Sequence, residues 1–265
     1  MTSTPVGMRC PECASQRTKV VRVRDTRSGP LVTYALIAIN VIVFLAEGGG
    51  ALSISGSPSG SLYEKGALFG SIPRVPELGV AYGEWWRIVS SGFLHANLLH
   101  IAFNMWVLYY LGVMLEPALG RARFALVYGV SLLCGSFGAL LVSPHVPTVG
   151  ASGAIFGLMG AAAVELRARQ IPIFQTGVGG LIVLNLIISF SVPDISWGGH
   201  IGGLIGGALC AAVLRYGEVQ RNRVLGIVGA VAIGVAAFAG SIATAHSSKV
   251  QTVSAPAVTQ LGQEP

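Results

Sequence analysis

The chain has 265 residues, of which 52% are hydrophobic and 11% charged, with a mean hydropathy of +0.68. A soluble domain carries about 25% charged residues, and 17 Lys+Arg with 11 Asp+Glu cannot cover such a domain without leaving large apolar patches in water. The composition therefore excludes an ordinary water-soluble protein and predicts an all-α polytopic membrane protein. A net charge of +6 does not by itself imply a nucleic-acid partner, because basic residues also set membrane orientation. Four cysteines in a chain of this length do not describe a disulfide-stapled scaffold.

In chain order, residues 1–29 carry six basic residues and the pair Cys10 and Cys13. They do not read as a signal peptide, since the charged stretch is long and leads into a full-length apolar run with no small-residue cleavage pattern. Cys10-Pro11-Glu12-Cys13 has knuckle spacing, yet a closed zinc site needs four ligands and the next Cys or His is His95. The pair reads as a free cytosolic dithiol, with half of a zinc site completed by self-association or a longer N-terminus as the weaker alternative, and no other metal or cofactor is expected. Charge-free runs then fall at 28–46, 88–115, 124–164, 170–193, 195–214 and 224–248, and a bilayer core of about 30 Å needs roughly 20 helical residues per crossing. The run 124–164 is twice that length and is interrupted by Pro144 and Pro147, which break a helix. Seven spans are expected. The Gly/Ser-rich stretch 48–63 reads as a loop.

The Lys/Arg distribution orients these spans. With the N-terminus inside, 13 of the 17 basic residues fall on the inner side, and only Lys65, Arg74, Arg87 and Lys249 fall outside. Spans 2, 4 and 6 then all run inward, so residues near their N-terminal ends share a depth below the outer face.

Polar groups within spans are costly and suggest function. His100 and Asn104 lie four apart in span 2, Ser152 opens span 4 within Gly150-Ala151-Ser152-Gly153, and His200 follows Gly198-Gly199 early in span 6. A serine becomes a nucleophile when a base takes its proton, and imidazole suits that task. No Asp or Glu lies in these spans to orient the ring, so the pattern reads as a Ser-His dyad. His100, Asn104 and the Ser152 N–H are placed to stabilise an oxyanion. Gly153 and Gly157 in span 4, with Gly199, Gly203 and Gly207 in span 6, form stripes for close helix approach, and Phe156 lies one turn from Ser152, where its ring can lean on His200.

At these residues the chain resembles the rhomboid family of intramembrane serine proteases, in particular bacterial members with six core helices plus one. The resemblance rests on Gly-Ala-Ser-Gly, on Gly-His in a glycine-rich span and on His100-Ile-Ala-Phe-Asn104, and extends to Trp86-Arg87, His95, Gly112, Glu116 and Gly120. It implies a rhomboid-like core at 30–216, preceded by a cytoplasmic segment at 1–29. A cytoplasmic linker and seventh span follow at 217–248, with a disordered outer tail at 249–265. It further implies cleavage of single-span membrane proteins in or near their transmembrane segment, at the plasma membrane and near its outer face, without metal, nucleotide or nucleic acid. Carried over residue by residue, Ser152 is the nucleophile, His200 the base and acid, and His100 and Asn104 the oxyanion donors, with Gly150, Gly153, Phe156 and Gly199 supporting the site. Phe156 stands where relatives commonly carry Tyr, so no phenolic hydroxyl is available there.

Two other classes fit parts of the pattern. One is an inactive rhomboid-like protein that binds membrane helices, although such relatives generally lack the serine or the histidine. The other is a small-solute transporter with intramembrane histidines. His95, His145, Trp85, Trp86, Arg87 and Glu116 read as structural, and Cys134 and Cys210 as packing residues.

Overall fold

The structure is a computed structural model and describes residues 2–4, 7–9, 29–47, 60–72, 77–193 and 195–254. Cys10 and Cys13 lie outside these. Two short strands, β1 (Thr2–Thr4) and β2 (Gly7–Arg9), pair antiparallel, and everything that positions the site is helical. The long helices are α1 (Leu31–Ala46), α2 (Leu98–Leu119), α3 (Arg121–Val142), α4 (Ser152–Ala168), α5 (Val178–Ser191), α6 (Trp197–Val219) and α7 (Arg223–Ser254).

Four of them, α2, α3, α6 and α7, are long and apolar enough to cross a membrane. The others are shorter: α1 and α5 have 16 and 14 residues, about 24 and 21 Å at 1.5 Å per residue, and α4 has 17. Large apolar side chains such as Ile42, Leu45, Trp106, Ile187 and Val228 face outward, as they do when the surrounding solvent is lipid. The chain is a multi-pass, all-α membrane protein. Its centre is α4, buried along almost its whole length, with α3 and α6 packed around it, α7 laid over α3 and α6, and α1 docked on α2.

Several boundaries differ from the charge-free runs. Residues 88–97 are not membrane helix. They fold into the loop between α1 and α2 as Arg87–Ser90 and Ser91–Phe93, and α2 begins at Leu98, where the Asn97 side chain accepts the His100 N–H at 2.9 Å. In the run 170–193, residues 170–177 form turns: Pro172 has no N–H to donate, and Gly177 takes a left-handed φ of 78° before α5 starts. Helix α6 runs on to Val219 and α7 starts at Arg223, which leaves a three-residue linker. Helix α7 also continues to Ser254, past the expected boundary between span and tail at residue 248.

Helix α1 lacks a side-chain cap of its own behind Pro30, and a residue from another helix does that work. The buried Glu116 carboxylate on α2 accepts from the Val32 N–H at 2.9 Å, the Thr33 N–H at 2.8 Å and the Thr33 hydroxyl at 2.7 Å. Gly112 makes room for this docking, since a Cβ there would lie 2.2 Å from Thr33 Oγ1. Glu116→Ala strands three donors, two of them on the helix N-terminus, and is expected to cost about 3 kcal/mol. A fall in the thermal transition measured in detergent checks this, and an unchanged transition would refute it.

The loop between α1 and α2 is held by Arg87, which is 2% exposed. Its Nε pairs with Glu84 at 2.7 Å, its Nη1 donates to the Glu64 and Ala67 carbonyls at 2.9 Å, and its guanidinium lies 4.5 Å from the Phe69 ring centroid. Burial pushes the Glu84 carboxyl up, but Arg87 and the Gly79 N–H outweigh it and hold its pKa below the usual value. Helix α7 packs on the same loop through Phe238 against Trp85 and Lys249 over Tyr82. At the opposite end of the bundle, Arg123 pairs with Glu218, while Arg169 and Arg215 each approach Glu165 at 3.6 Å.

Candidate active site

Three helix N-termini meet at one place. Ser152 is the first residue of α4, His100 the third of α2 and His200 the fourth of α6, so all three positive dipole ends point toward the site. Each start has a local cause. Asn97 caps α2, and Ser196 caps α6 by accepting the Gly199 N–H at 3.3 Å. Helix α4 has no side-chain cap, so N–H groups of its first turn have no intrahelical acceptor.

The segment leading to Ser152 is pinned from outside. Leu68 and Thr148 exchange backbone hydrogen bonds at 2.9 and 2.8 Å, the Gly70 N–H donates to Pro144 O, and the Gly150 N–H donates to Ser91 O at 2.9 Å. His145 belongs to this clamp, with Nδ1 2.8 Å from Ser71 O. Gly150 has φ +128°, and a Cβ there would sit 2.9 Å from His100 Nε2 and 3.5 Å from Ser152 Oγ. The two side chains thus flank one point, which glycine keeps open.

Ser152 Oγ lies 2.8 Å from His200 Nε2. Phe156 stacks on the imidazole with ring centroids 4.2 Å apart and planes 14° apart. The other ring nitrogen, Nδ1, is 2.6 Å from Ser189 Oγ on α5. Ser189 donates its only hydroxyl proton to Asn185 O at 2.6 Å, so toward His200 it accepts, and Nδ1 carries the proton. That tautomer leaves the Nε2 lone pair facing the Ser152 hydroxyl, as a general base requires. Ser189 escaped the sequence reading. The one signal for it is the i, i+4 pair Asn185 and Ser189, whose side chains form the buried polar face of a helix that turns Val183, Leu184, Ile187 and Phe190 outward.

His100 is assigned in the same way. Its Nδ1 accepts the Ala96 N–H at 3.3 Å, so its proton sits on Nε2, the atom beside Gly150 and Ser152. Asn104 follows one turn along the same face, is 4% exposed, and its Nδ2 has no acceptor among the described residues. A buried amide donor normally finds a partner, so this one is left able to take an acceptor that is not part of the folded chain. His95 is fully buried and meets His100 edge-on at 5.1 Å, which supports the ring.

The glycine stripes do more than the sequence suggested. A Cβ on Gly203 would lie 1.9 Å from Gly153 O, and one on Gly207 2.1 Å from Gly157 O, so α4 and α6 touch backbone to backbone. Gly199 instead stands at a three-helix junction with Gly153 and Gly135 of α3, while Gly202 and Gly206 face Cys134 and Gly138 on α3. The α3 glycines were not anticipated. Among the described residues, no group of three His, Cys, Asp or Glu side chains could hold a metal ion.

Comparison with known proteins bears on the family. The Rhomboid domain profile matches residues 82–217. The chain is 36% identical over 190 residues to rhomboid protease GluP of Bacillus subtilis (strain 168), covering 70% of this chain and 35% of that protein. It is 40% identical over 136 residues to the putative rhomboid protease YdcA of the same organism, covering 50% of this chain and 68% of the relative. RHOMBOID-like protein 7 of Arabidopsis thaliana is 35% identical over 164 residues, or 59% and 50% of the two chains. This chain therefore spans about a third of the first relative and two thirds of the second. Helix α7 lies beyond the profile match. With half of its length matched to the domain and two thirds of YdcA covered, the chain belongs to the rhomboid family.

Proposed function

We propose that this protein is an intramembrane serine endopeptidase that cleaves single-span membrane proteins within or near their transmembrane segment. The observation that carries the reading is the Ser152 Oγ to His200 Nε2 contact of 2.8 Å, with the ring held in the tautomer that can accept the serine proton. Ser152 attacks the scissile carbonyl carbon and passes its proton to Nε2. The oxyanion is held by His100 Nε2–H, Asn104 Nδ2–H and the Ser152 N–H. Collapse breaks the C–N bond as Nε2 returns the proton to the leaving amine, and water then attacks the acyl-enzyme with His200 again taking and returning a proton.

A substrate helix protects its carbonyls with i to i−4 bonds, so the cut falls where helix-weakening residues let it unwind. Entry is lateral, past α5 and the connection from Ser191 to Trp197. With the N-terminus in the cytoplasm and the C-terminus outside, 13 of the 17 basic residues fall on the inner side, and this grouping supports that orientation. The active site then lies near the outer face of the plasma membrane.

A fluorophosphonate probe tests the nucleophile: the purified full chain is expected to gain one adduct at Ser152, abolished in Ser152→Ala. Absence of the adduct under conditions that label an active relative would favour a helix-binding protein without activity. The oxyanion assignment has its own test. Asn104→Ala is expected to lower kcat about 10²-fold with KM little changed, and retention of full kcat would remove Asn104 from the site.

A further inference from the structure

We infer that Ser189 is a positioning residue, the third member of a Ser152–His200–Ser189 relay, and that α5 supplies it. This rests on the protease reading above.

A serine in an apolar helix often does nothing more than return its hydroxyl proton to the carbonyl four residues back, and Ser189 makes that bond to Asn185 O at 2.6 Å. The bond has a second effect here. It commits the only proton on Oγ, so the 2.6 Å contact with His200 Nδ1 can be made only with Nδ1–H as donor. The reverse arrangement would put a proton on Nε2, facing the Ser152 hydroxyl at 2.8 Å, and the imidazole could then accept nothing from it. Asn185 O and Ser189 Oγ together act as a chain of two acceptors that selects the productive tautomer.

The surroundings support a dedicated role. Ser189 is 3% exposed and His200 is 9% exposed, so bulk water is a poor substitute acceptor for Nδ1–H. Phe156 covers a ring face and fixes the plane of the imidazole, but it cannot choose between tautomers. The acidic residues of the helices that carry His100, Ser152 and His200 are Glu116, Glu165 and Glu218, all in the C-terminal parts of those helices, away from the N-terminal ends that form the site. A neutral hydroxyl supports an imidazolium less than a carboxylate does, and it avoids placing a second charge in a membrane interior.

The test uses the full chain in detergent, with fluorophosphonate labelling of Ser152 and steady-state cleavage of a single-span reporter measured side by side. Ser189→Ala is expected to slow labelling and lower kcat about tenfold, the factor carried by one neutral hydrogen bond, with KM unchanged. Ser189→Thr keeps the hydroxyl and is expected to restore both. Ser189→Cys, of similar size but a weak acceptor, is expected to resemble Ser189→Ala. Equal labelling rates and kcat for wild type and Ser189→Ala would overturn the positioning role and leave the protease reading standing. A wild type that neither labels nor cleaves would overturn the protease reading itself. A fall in thermal transition that tracks activity across Ala, Cys and Thr would reduce Ser189 to packing.

Discussion

Ser152→Ala and His200→Ala are each expected to reduce cleavage of a single-span reporter by about 10⁴-fold or more, and the double variant to be no worse than either. The equality follows from how the groups work. Ser152 without a base keeps its proton, and His200 without the serine has nothing to activate, so each removal disables the same step. Both variants should keep a cooperative thermal transition, because among the described residues the Ser152 hydroxyl makes no hydrogen bond other than the one to His200. The measurement is product formation in detergent or reconstituted vesicles, with fluorophosphonate labelling as an independent count of active sites. Cleavage that survives either substitution would remove the dyad from the chemistry.

Gly203→Ala is expected to lower activity about 10²-fold by moving reacting atoms about 1 Å out of place, and to cost about 1–3 kcal/mol in stability. The added methyl would lie 1.9 Å from Gly153 O and 2.8 Å from Gly153 C. Both are backbone atoms, so no side chain can turn aside, and α4 and α6 must separate. Since α4 carries Ser152 and α6 carries His200, separation stretches the contact between them. Gly180→Ala on α5 is the matched control, with nothing within 4 Å of its added Cβ; a helix interior favours Ala over Gly. Equal losses in the two variants, or none in Gly203→Ala, would show that the α4–α6 seam does not set the site.

The converging polar residues were legible because apolar spans contain so few of them. A serine and two histidines near the starts of alternate spans stand out against Leu, Val, Ile and Gly, and the all-α membrane fold followed from the same contrast. Helix limits were less legible, since absence of charge marks burial and says little about whether the buried chain is helical. Residues 88–97 illustrate this: Ile88 and His95 are fully buried in the loop between α1 and α2 that Arg87 holds, and their composition matches that of a span. Ser189 was hidden for the opposite reason. Taken alone it is one more small residue in an apolar helix, and only the shared contact with Asn185 O and His200 Nδ1 distinguishes it. Gly135 and Gly138 likewise gain meaning only beside Gly153, Gly198 and Gly202, on helices distant in sequence.

The placement of Ser189 on α5 sets an order of events. Helices α3 and α6 are covered on one flank by α7, whereas α5 touches α4 and α6 sparsely, on the side of the proposed lateral entry. On the proposed lateral route, a segment entering there would displace the helix that carries Ser189. While α5 is away, Nδ1 of His200 has lost its acceptor and Ser152 is less readily activated. Admission and bond breaking thus become successive steps, and a segment that slips out before α5 settles back leaves uncut. Discrimination among membrane helices can then arise from how long each one stays, in addition to how well its cleavage site fits.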